Sequence, residues 1–99
     1  MTMYVGTGLV TLHLGESYSL KDKRQVVRSV LAKARNQFEV SAAEVGSQET
    51  WNLATLGLAY VSNDAAHADE VIEHAIRYIE ATRPDVEITS SHIEVITLE

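Results

Sequence analysis

Six of the eight lysine and arginine residues in this chain of 99 lie within one short segment, residues 21–35. Asp22 is the only acidic residue of that segment. Cationic side chains at this density can bind phosphate or carboxylate through charge-assisted hydrogen bonds. At about 100° per residue, four of them fall within about 60° on one side of a helix. We call these four residues the basic stripe: Lys21, Arg24, Arg28 and Arg35.

The basic stripe has two interpretations that the sequence leaves open. Lys21, Lys23 and Arg24 fall in the predicted first turn, where the helix dipole disfavours each positive charge by about 0.3–1 kcal/mol. Helix stability therefore does not explain them, whereas an anion near the exposed amides of a helix N-terminus would. The other interpretation is a solvated helix face whose cations balance carboxylates elsewhere on a protein of net charge −6.

Lys23 differs from the other cations of this segment. Its helical angle places it inside the apolar arc, between Val30 and Ala34. A lysine in that position either extends its ammonium group to solvent at the end of the helix or meets a carboxylate, and we favour the first. The candidate anion- or RNA-binding residues are Lys21, Lys23, Arg24, Arg28 and Arg35.

Composition indicates a single folded domain over residues 1–99. The chain is 45% hydrophobic and has one proline, so it can bury a core. It has no cysteine, which excludes disulfides, a thiolate nucleophile and a cysteine zinc site. We expect a soluble cytoplasmic protein, since there is neither a signal-like start nor an apolar run of about 20 residues. The overall acidity argues against a general polyanion binder, so contact with an anion must be local.

Hydrophobic periodicity predicts the order βαββαβ. We expect strands at residues 4–14, 38–45 and 51–61, and a last strand within 86–98 that is interrupted near Ser90-Ser91. The helices are capped by Ser19 and by Asn63-Asp64, and they end near Asn36 and before Pro84. Two βαβ-like halves predict an α+β ferredoxin-like sandwich, a four-stranded antiparallel sheet with two helices on one face.

This architecture leaves one face of the sheet uncovered, and its predicted side chains are apolar or threonine. A surface of this kind is unusual for a monomer, so we expect a two-fold dimer. We also expect His13 and His92 to be neighbours on this face, because the first and last strands pair in this fold. Such a pair of histidines could make the dimer contact respond to pH. The candidate interface residues are Val5, Leu9, His13, Trp51, Leu53 and His92.

Other kinds of site find little support. RNA-binding domains of this topology stack bases on aromatic residues of the central strands, and none of the predicted outward positions is aromatic. His67 and His74 stand about 10 Å apart along a helix and cannot chelate one ion, so we expect no metal and no cofactor. The Gly15-Glu16-Ser17-Tyr18 loop has no cation that could hold a phosphate. The sequence also contains no nucleophile elbow and no Walker loop, so we expect no enzymatic activity.

Several short motifs occur together in a distinctive order. Ser19-Leu20-Lys21-Asp22-Lys23-Arg24 follows a strand ending in Leu12-His13-Leu14, and further on come Gln48-x-x-Trp51, Leu56-Gly57-x-Ala59 and Val61-Ser62-Asn63-Asp64. Together they resemble the YlxP-like family, a domain of unknown function, over nearly the whole chain. The resemblance implies a small bacterial protein with a ferredoxin-like fold. It also implies a role near ribosome assembly or translation, because the family's genes lie beside those of a translation initiation factor and a ribosome-binding factor.

The resemblance implies no catalytic residues in this sequence, because the family has no accepted ones. The chain departs from the family pattern at Leu9 and Leu53, two positions often charged in relatives, and this departure favours self-association. Our first hypothesis is a binding protein that contacts RNA or a ribosomal particle through the basic stripe. The alternative is a dimeric module that senses a small ligand or binds protein, with no nucleic-acid contact.

Overall fold

The computed structural model describes all residues, 1–99, and has the element order expected from the sequence. The strands are β1 (Met3–Leu14), β2 (Ser41–Gly46), β3 (Leu53–Ser62) and β4 (Val86–Leu98), and the helices are α1 (Leu20–Phe38) and α2 (Ala65–Thr82). The strands form one sheet in the order β2-β3-β1-β4, and each neighbouring pair is antiparallel. The fold is therefore the predicted ferredoxin-like α+β sandwich.

Both helices begin at the predicted caps. The Ser19 hydroxyl accepts a hydrogen bond from the Asp22 amide at 3.1 Å, and the Asp22 carboxylate accepts one from the Tyr18 amide at 3.1 Å. The Asp64 carboxylate accepts a hydrogen bond from the His67 amide at 3.0 Å. These contacts satisfy backbone donors that have no partner inside the helix, and they fix where each helix starts.

The end of α1 differs from the sequence-based expectation. Phe38 was assigned to the second strand, but it belongs to the helix and packs edge-on against Tyr78, with ring centroids 5.3 Å apart. Glu39 ends the helix in the left-handed conformation, with φ 56°, and its amide donates to the Arg35 carbonyl. Glycine or asparagine usually occupies such a position, so a glutamate gave no signal.

The core lies between the sheet and the two helices. Its central side chains are fully buried, and they come from β1, β3 and both helices: Val10, Leu12, Val30, Ala34, Ala54, Leu56, Ile72 and Ala75. Helix α2 passes very close to β1. A Cβ built on Gly6 would lie 2.6 Å from the Ala68 carbonyl oxygen, and one on Gly8 would lie 2.9 Å from the Ile72 side chain.

Two irregularities shift the register of the edge strands. Between β1 and β4 the shift leaves Thr89 without a register partner, next to the predicted interruption at Ser90-Ser91. Between β2 and β3 it leaves out Val45. The third strand begins at Leu53, so Trp51 lies in the preceding turn and not in the strand as predicted. Neither helix is long and apolar enough to cross a membrane.

Candidate anion-binding surface on the first helix

All four residues of the basic stripe are exposed on α1. The buried side of the helix is formed by Lys23, Val27, Val30, Leu31 and Ala34. The two sets occupy adjacent sides of one 19-residue helix. From Lys21 to Arg35 the stripe extends about 21 Å along the helix axis, at about 1.5 Å per residue.

The chain's own carboxylates do not neutralise the stripe. Three ion pairs join Lys23 to Glu44, Arg77 to Glu73 and Arg83 to Asp85, and the His92 ring contacts Glu94. None of them includes a residue of the stripe. Asp22, the only acid of the segment, is occupied by the cap at the start of α1. The positive charge of the stripe therefore faces solvent.

Lys23 is not part of this surface, and its assignment as an anion-binding residue was wrong. It is 1% exposed, and its ammonium nitrogen lies 2.8 Å from a carboxylate oxygen of Glu44 on β2. The same nitrogen donates a hydrogen bond to the Ser47 carbonyl. The side chain thus meets a carboxylate inside the protein and does not extend to solvent, because Glu44 is on the inward side of β2 at the edge of the sheet.

Arg35 has a second role besides its place in the stripe. Its guanidinium donates a hydrogen bond to the Ala42 carbonyl of β2. Strand β2 is an edge strand, and its backbone groups on the free side would otherwise be open to pairing with another chain. The stripe therefore lies on the side of α1 that overhangs this edge, and Lys21, Arg24 and Arg28 are its uncommitted cations.

Another side of α1, which includes Ser29, faces a different group of charges. Arg83 donates two hydrogen bonds to Asp85, at 2.9 and 2.6 Å, and one to the Ser29 hydroxyl at 3.3 Å. The hydrogen bonds from Arg83 hold the pKa of Asp85 below its ordinary value, burial opposes them, and the charges of Arg83 and Lys33 lower it further. The same pairing raises the pKa of Arg83. Lys33 therefore belongs to this group and not to the stripe.

The uncovered face of the sheet carries most of the candidate interface residues. Val5, Leu9 and His13 on β1 lie in register with Val61, Gly57 and Leu53 on β3. His92 on β4 pairs with Leu9. A depression of about 420 Å³ opens around Gly57, and its wall residues include Ala43, Ala59, Leu9, Val45, His92 and Glu94. Trp51 lies outside these rows, half exposed in the turn before β3.

The expected pairing of His13 with His92 was wrong. The first and last strands do pair, but His13 is in register with Glu87, while His92 is in register with Leu9. The two histidines are thus four residues apart along the strands, about 13 Å. His92 instead lies 2.8 Å from Glu94 of its own strand.

The structure contains no candidate metal site. His67 contacts the Tyr60 hydroxyl at 3.3 Å, and no three His, Asp or Glu side chains are grouped so that they could hold a metal ion.

Comparison with known proteins places this chain in a family. Residues 5–93 match the family described as "Protein of unknown function (DUF503)". The chain belongs to the DUF503 family. A curated relative, "Uncharacterized protein YlxP" of Bacillus subtilis (strain 168), is 33% identical over 76 residues, which cover 77% of this chain and 82% of the relative. This confirms the resemblance to YlxP-like proteins.

Solved structures with a similar outline share little sequence with this DUF503 member. Protein SO0527 from Shewanella oneidensis has a TM-score of 0.49 and 19% identity, over 94% of this chain and 90% of that one. The designed protein Foldit4 has a TM-score of 0.48 and 14% identity, over 97% of each chain. SnoaB, a cofactor-independent oxygenase from Streptomyces nogalater, has a TM-score of 0.47 and 11% identity, over 97% and 92%. With TM-scores below 0.5, these similarities indicate nothing about function.

Two features of this DUF503 member escaped the sequence analysis. The pairing of Arg83 with Asp85 joins the end of α2 to the start of β4, and only the short spacing across Pro84 could have suggested it. Ser17 is buried, and its hydroxyl donates to the Trp51 carbonyl, which ties the loop before α1 to the turn before β3. A serine in a polar loop gave no sign of burial.

Proposed function

We propose that this protein is a non-catalytic binding protein that contacts RNA phosphates of a ribosomal particle through α1. The contacting residues are Lys21, Arg24 and Arg28, with Arg35 at the far end. One observation carries the proposal. In a protein of net charge −6, these exposed cations line one side of a helix and form no ion pair with any of the chain's own fourteen carboxylates.

The dimensions of the stripe suit a nucleic-acid strand. Its length of about 21 Å corresponds to about six nucleotides of a stacked strand at about 3.4 Å each. Arginine donates up to five hydrogen bonds in a planar fork that matches phosphate, so Arg24 and Arg28 are suited to hold adjacent phosphates. Contacts of this kind position a protein on RNA without reading its sequence.

The sheet contributes no base-stacking surface to this proposal. The outward positions of the two central strands are aliphatic, small, hydroxylic or histidine, with Leu9 and Gly57 at the centre. We therefore assign the contact to the helix alone. The choice of a ribosomal particle as the partner comes from the resemblance to YlxP-like proteins, whose genes lie beside those of translation factors.

The test is co-sedimentation with ribosomal subunits at low salt. We expect the double variant Arg24→Glu/Arg28→Glu to lose co-sedimentation. The matched control is Lys33→Glu/Arg77→Glu, which also changes the net charge from −6 to −10 but alters cations outside the stripe. It should co-sediment like the wild type.

Three results would contradict the proposal. The wild type could fail to co-sediment, or the stripe variant could co-sediment as well as the wild type. The two double variants could also lose binding equally, which would assign the effect to net charge and not to the basic stripe. Circular dichroism of each variant establishes that a loss of binding does not reflect unfolding.

A further inference from the structure

We propose that the uncovered sheet face is the interface of a two-fold dimer in which Leu9 of each copy enters the depression over Gly57 of the other. This inference concerns a different surface from the RNA-binding proposal and does not depend on it. Its basis is the shape of one row of side chains across the sheet: His92 on β4, Leu9 on β1, Gly57 on β3 and Ala43 on β2.

Large and small side chains occupy opposite halves of this row. Leu9 is 50% exposed and projects from the sheet, whereas its neighbour Gly57 has no side chain and forms the floor of the depression. Val45 of β2 bounds the depression on one side, since its side chain lies 3.1 Å from where a Cβ on Gly57 would be. A projection beside a hollow on one surface is what a self-complementary interface requires, because each copy supplies both parts. A two-fold axis parallel to the strands, between β1 and β3, brings Leu9 over the partner's Gly57 and His92 over the partner's Ala43.

The same axis gives compatible contacts in the neighbouring rows. In the next row, Thr7 on β1 is in register with Glu94 on β4 and with Ala59 on β3. Ala59 is in turn in register with Ser41 on β2. Rotation brings Thr7 over the partner's Ala59 and Glu94 over the partner's Ser41, whose hydroxyl can donate to the carboxylate. One row further, Val5 faces the partner's Val61. No carboxylate of one copy faces a carboxylate of the other.

Charge on this face also favours a second copy. The chain has fourteen carboxylates, yet on the sheet's uncovered side only Glu94 and Glu87 belong to the register rows, and Glu94 is hydrogen-bonded to the His92 ring. An acidic protein repels its own copies through most of its surface, and this face is where that repulsion is weakest. A partner with a strongly charged surface would meet few charged side chains on this face.

The area of this face is close to what one partner buries in a stable dimer. Four strands at about 4.8 Å spacing and the ten residues of β3 at about 3.4 Å each span about 19 by 33 Å, or about 600 Å² in projection. The accessible area of such a rough surface exceeds its projection and approaches the roughly 800 Å² per partner that stable complexes bury. Two sheets packed face to face lie about 10 Å apart, a gap that leucine and valine side chains fill.

The test is sedimentation velocity across a dilution series with three single variants. We expect the wild type to dimerise. Leu9→Ala removes the projection. Gly57→Val fills the hollow and also presses on Val45 of the same copy, whose side chain would lie 3.1 Å from the added Cβ. Each variant should raise the dissociation constant at least tenfold. The matched control is Leu98→Ala, which truncates a leucine of nearly equal exposure, 48%, on β4 outside the central rows, and its dissociation constant should equal that of the wild type.

A mixing experiment separates contact between copies from effects within one copy. Each variant alone forms a homodimer with two poor contacts. A heterodimer of Leu9→Ala with Gly57→Val has one native contact, and in the other alanine faces valine with nearly conserved volume. The mixture should therefore dimerise more tightly than either variant alone. A monomeric wild type, an equal loss in Leu98→Ala, or a mixture no tighter than its components would overturn the proposal.

Discussion

The ammonium group of Lys23 on α1 lies 2.8 Å from the carboxylate of Glu44 on the edge strand β2, and the lysine is 1% exposed. The two opposite charges form an ion pair between the helix and the sheet. The hydrogen bond from Lys23 to the Ser47 carbonyl adds a second tie. Together the ion pair and this hydrogen bond attach the first turn of α1 to the end of β2.

Lys23→Met should destabilise the protein by about 2–3 kcal/mol, because it leaves the Glu44 carboxylate partly buried without a counter-charge. The double variant Lys23→Met/Glu44→Met should recover most of that loss, since both charges are then removed. Urea unfolding measures both effects. Equal stability of Lys23→Met and the wild type would show that the ion pair contributes nothing. Because Lys23 does not face solvent, co-sedimentation with ribosomal subunits should not change.

Binding through the stripe should weaken steeply with salt. Three free cations release about three counterions, so we expect a slope of about −2 to −3 in log affinity against log salt concentration. Arg28→Ala should reduce that slope by about one, whereas Lys33→Ala should leave it unchanged. Fluorescence anisotropy with a ribosomal RNA fragment at several salt concentrations gives the slope. If the protein binds the RNA fragment but the slope is near zero, the protein does not contact the phosphates.

The close approach of α2 to β1 should make Gly6 intolerant of substitution. The methyl group of Gly6→Ala would lie 2.6 Å from the Ala68 backbone carbonyl, which cannot move without shifting the helix. We expect a loss of about 1–3 kcal/mol in the free energy of unfolding. Gly15→Ala is the control, because no atom beyond the adjacent residues lies within 4 Å of the added carbon. It should change stability by less than about 0.5 kcal/mol. Comparable losses in the two variants would contradict this account.

The pairing of Asp85 with Arg83 should stabilise the fold in a pH-dependent way. The folded-state pKa of Asp85 lies below its ordinary value, so the unfolded chain takes up the proton first as the pH falls. The stabilisation is therefore complete near neutral pH and is lost below about pH 4. Asp85→Asn should be less stable than the wild type at pH 7, with a smaller difference at pH 3. Glu80→Gln, an exposed change on α2, should show no such trend in urea unfolding at the two pH values.

Local sequence signals predicted most of the fold. The caps at Ser19 and Asp64 and the periodicity of both helices depend only on neighbouring residues, and the structure confirms them. The exposed side of α1 followed from helix geometry alone. The end of α1 was missed, because only the surrounding structure holds Glu39 in a left-handed conformation.

Interactions between distant elements could not be predicted in the same way. The partner of Lys23 depends on which side of β2 Glu44 occupies and on β2 lying beneath the start of α1. The distance between His13 and His92 depends on where β4 begins and on the register shift at Thr89. Pairing of the first and last strands was a topological expectation, but a register is fixed by packing along the whole sheet.

The separation of charge in this molecule has a consequence before any contact forms. Six of its cations lie between residues 21 and 35, while residues 36–99 hold twelve of its fourteen carboxylates. The uncommitted cations of the stripe lie on one side of α1 and form no ion pair, so we expect a negative surface to attract that side of the molecule. The same surface would repel the acidic groups elsewhere, so its encounters with the protein would favour one orientation.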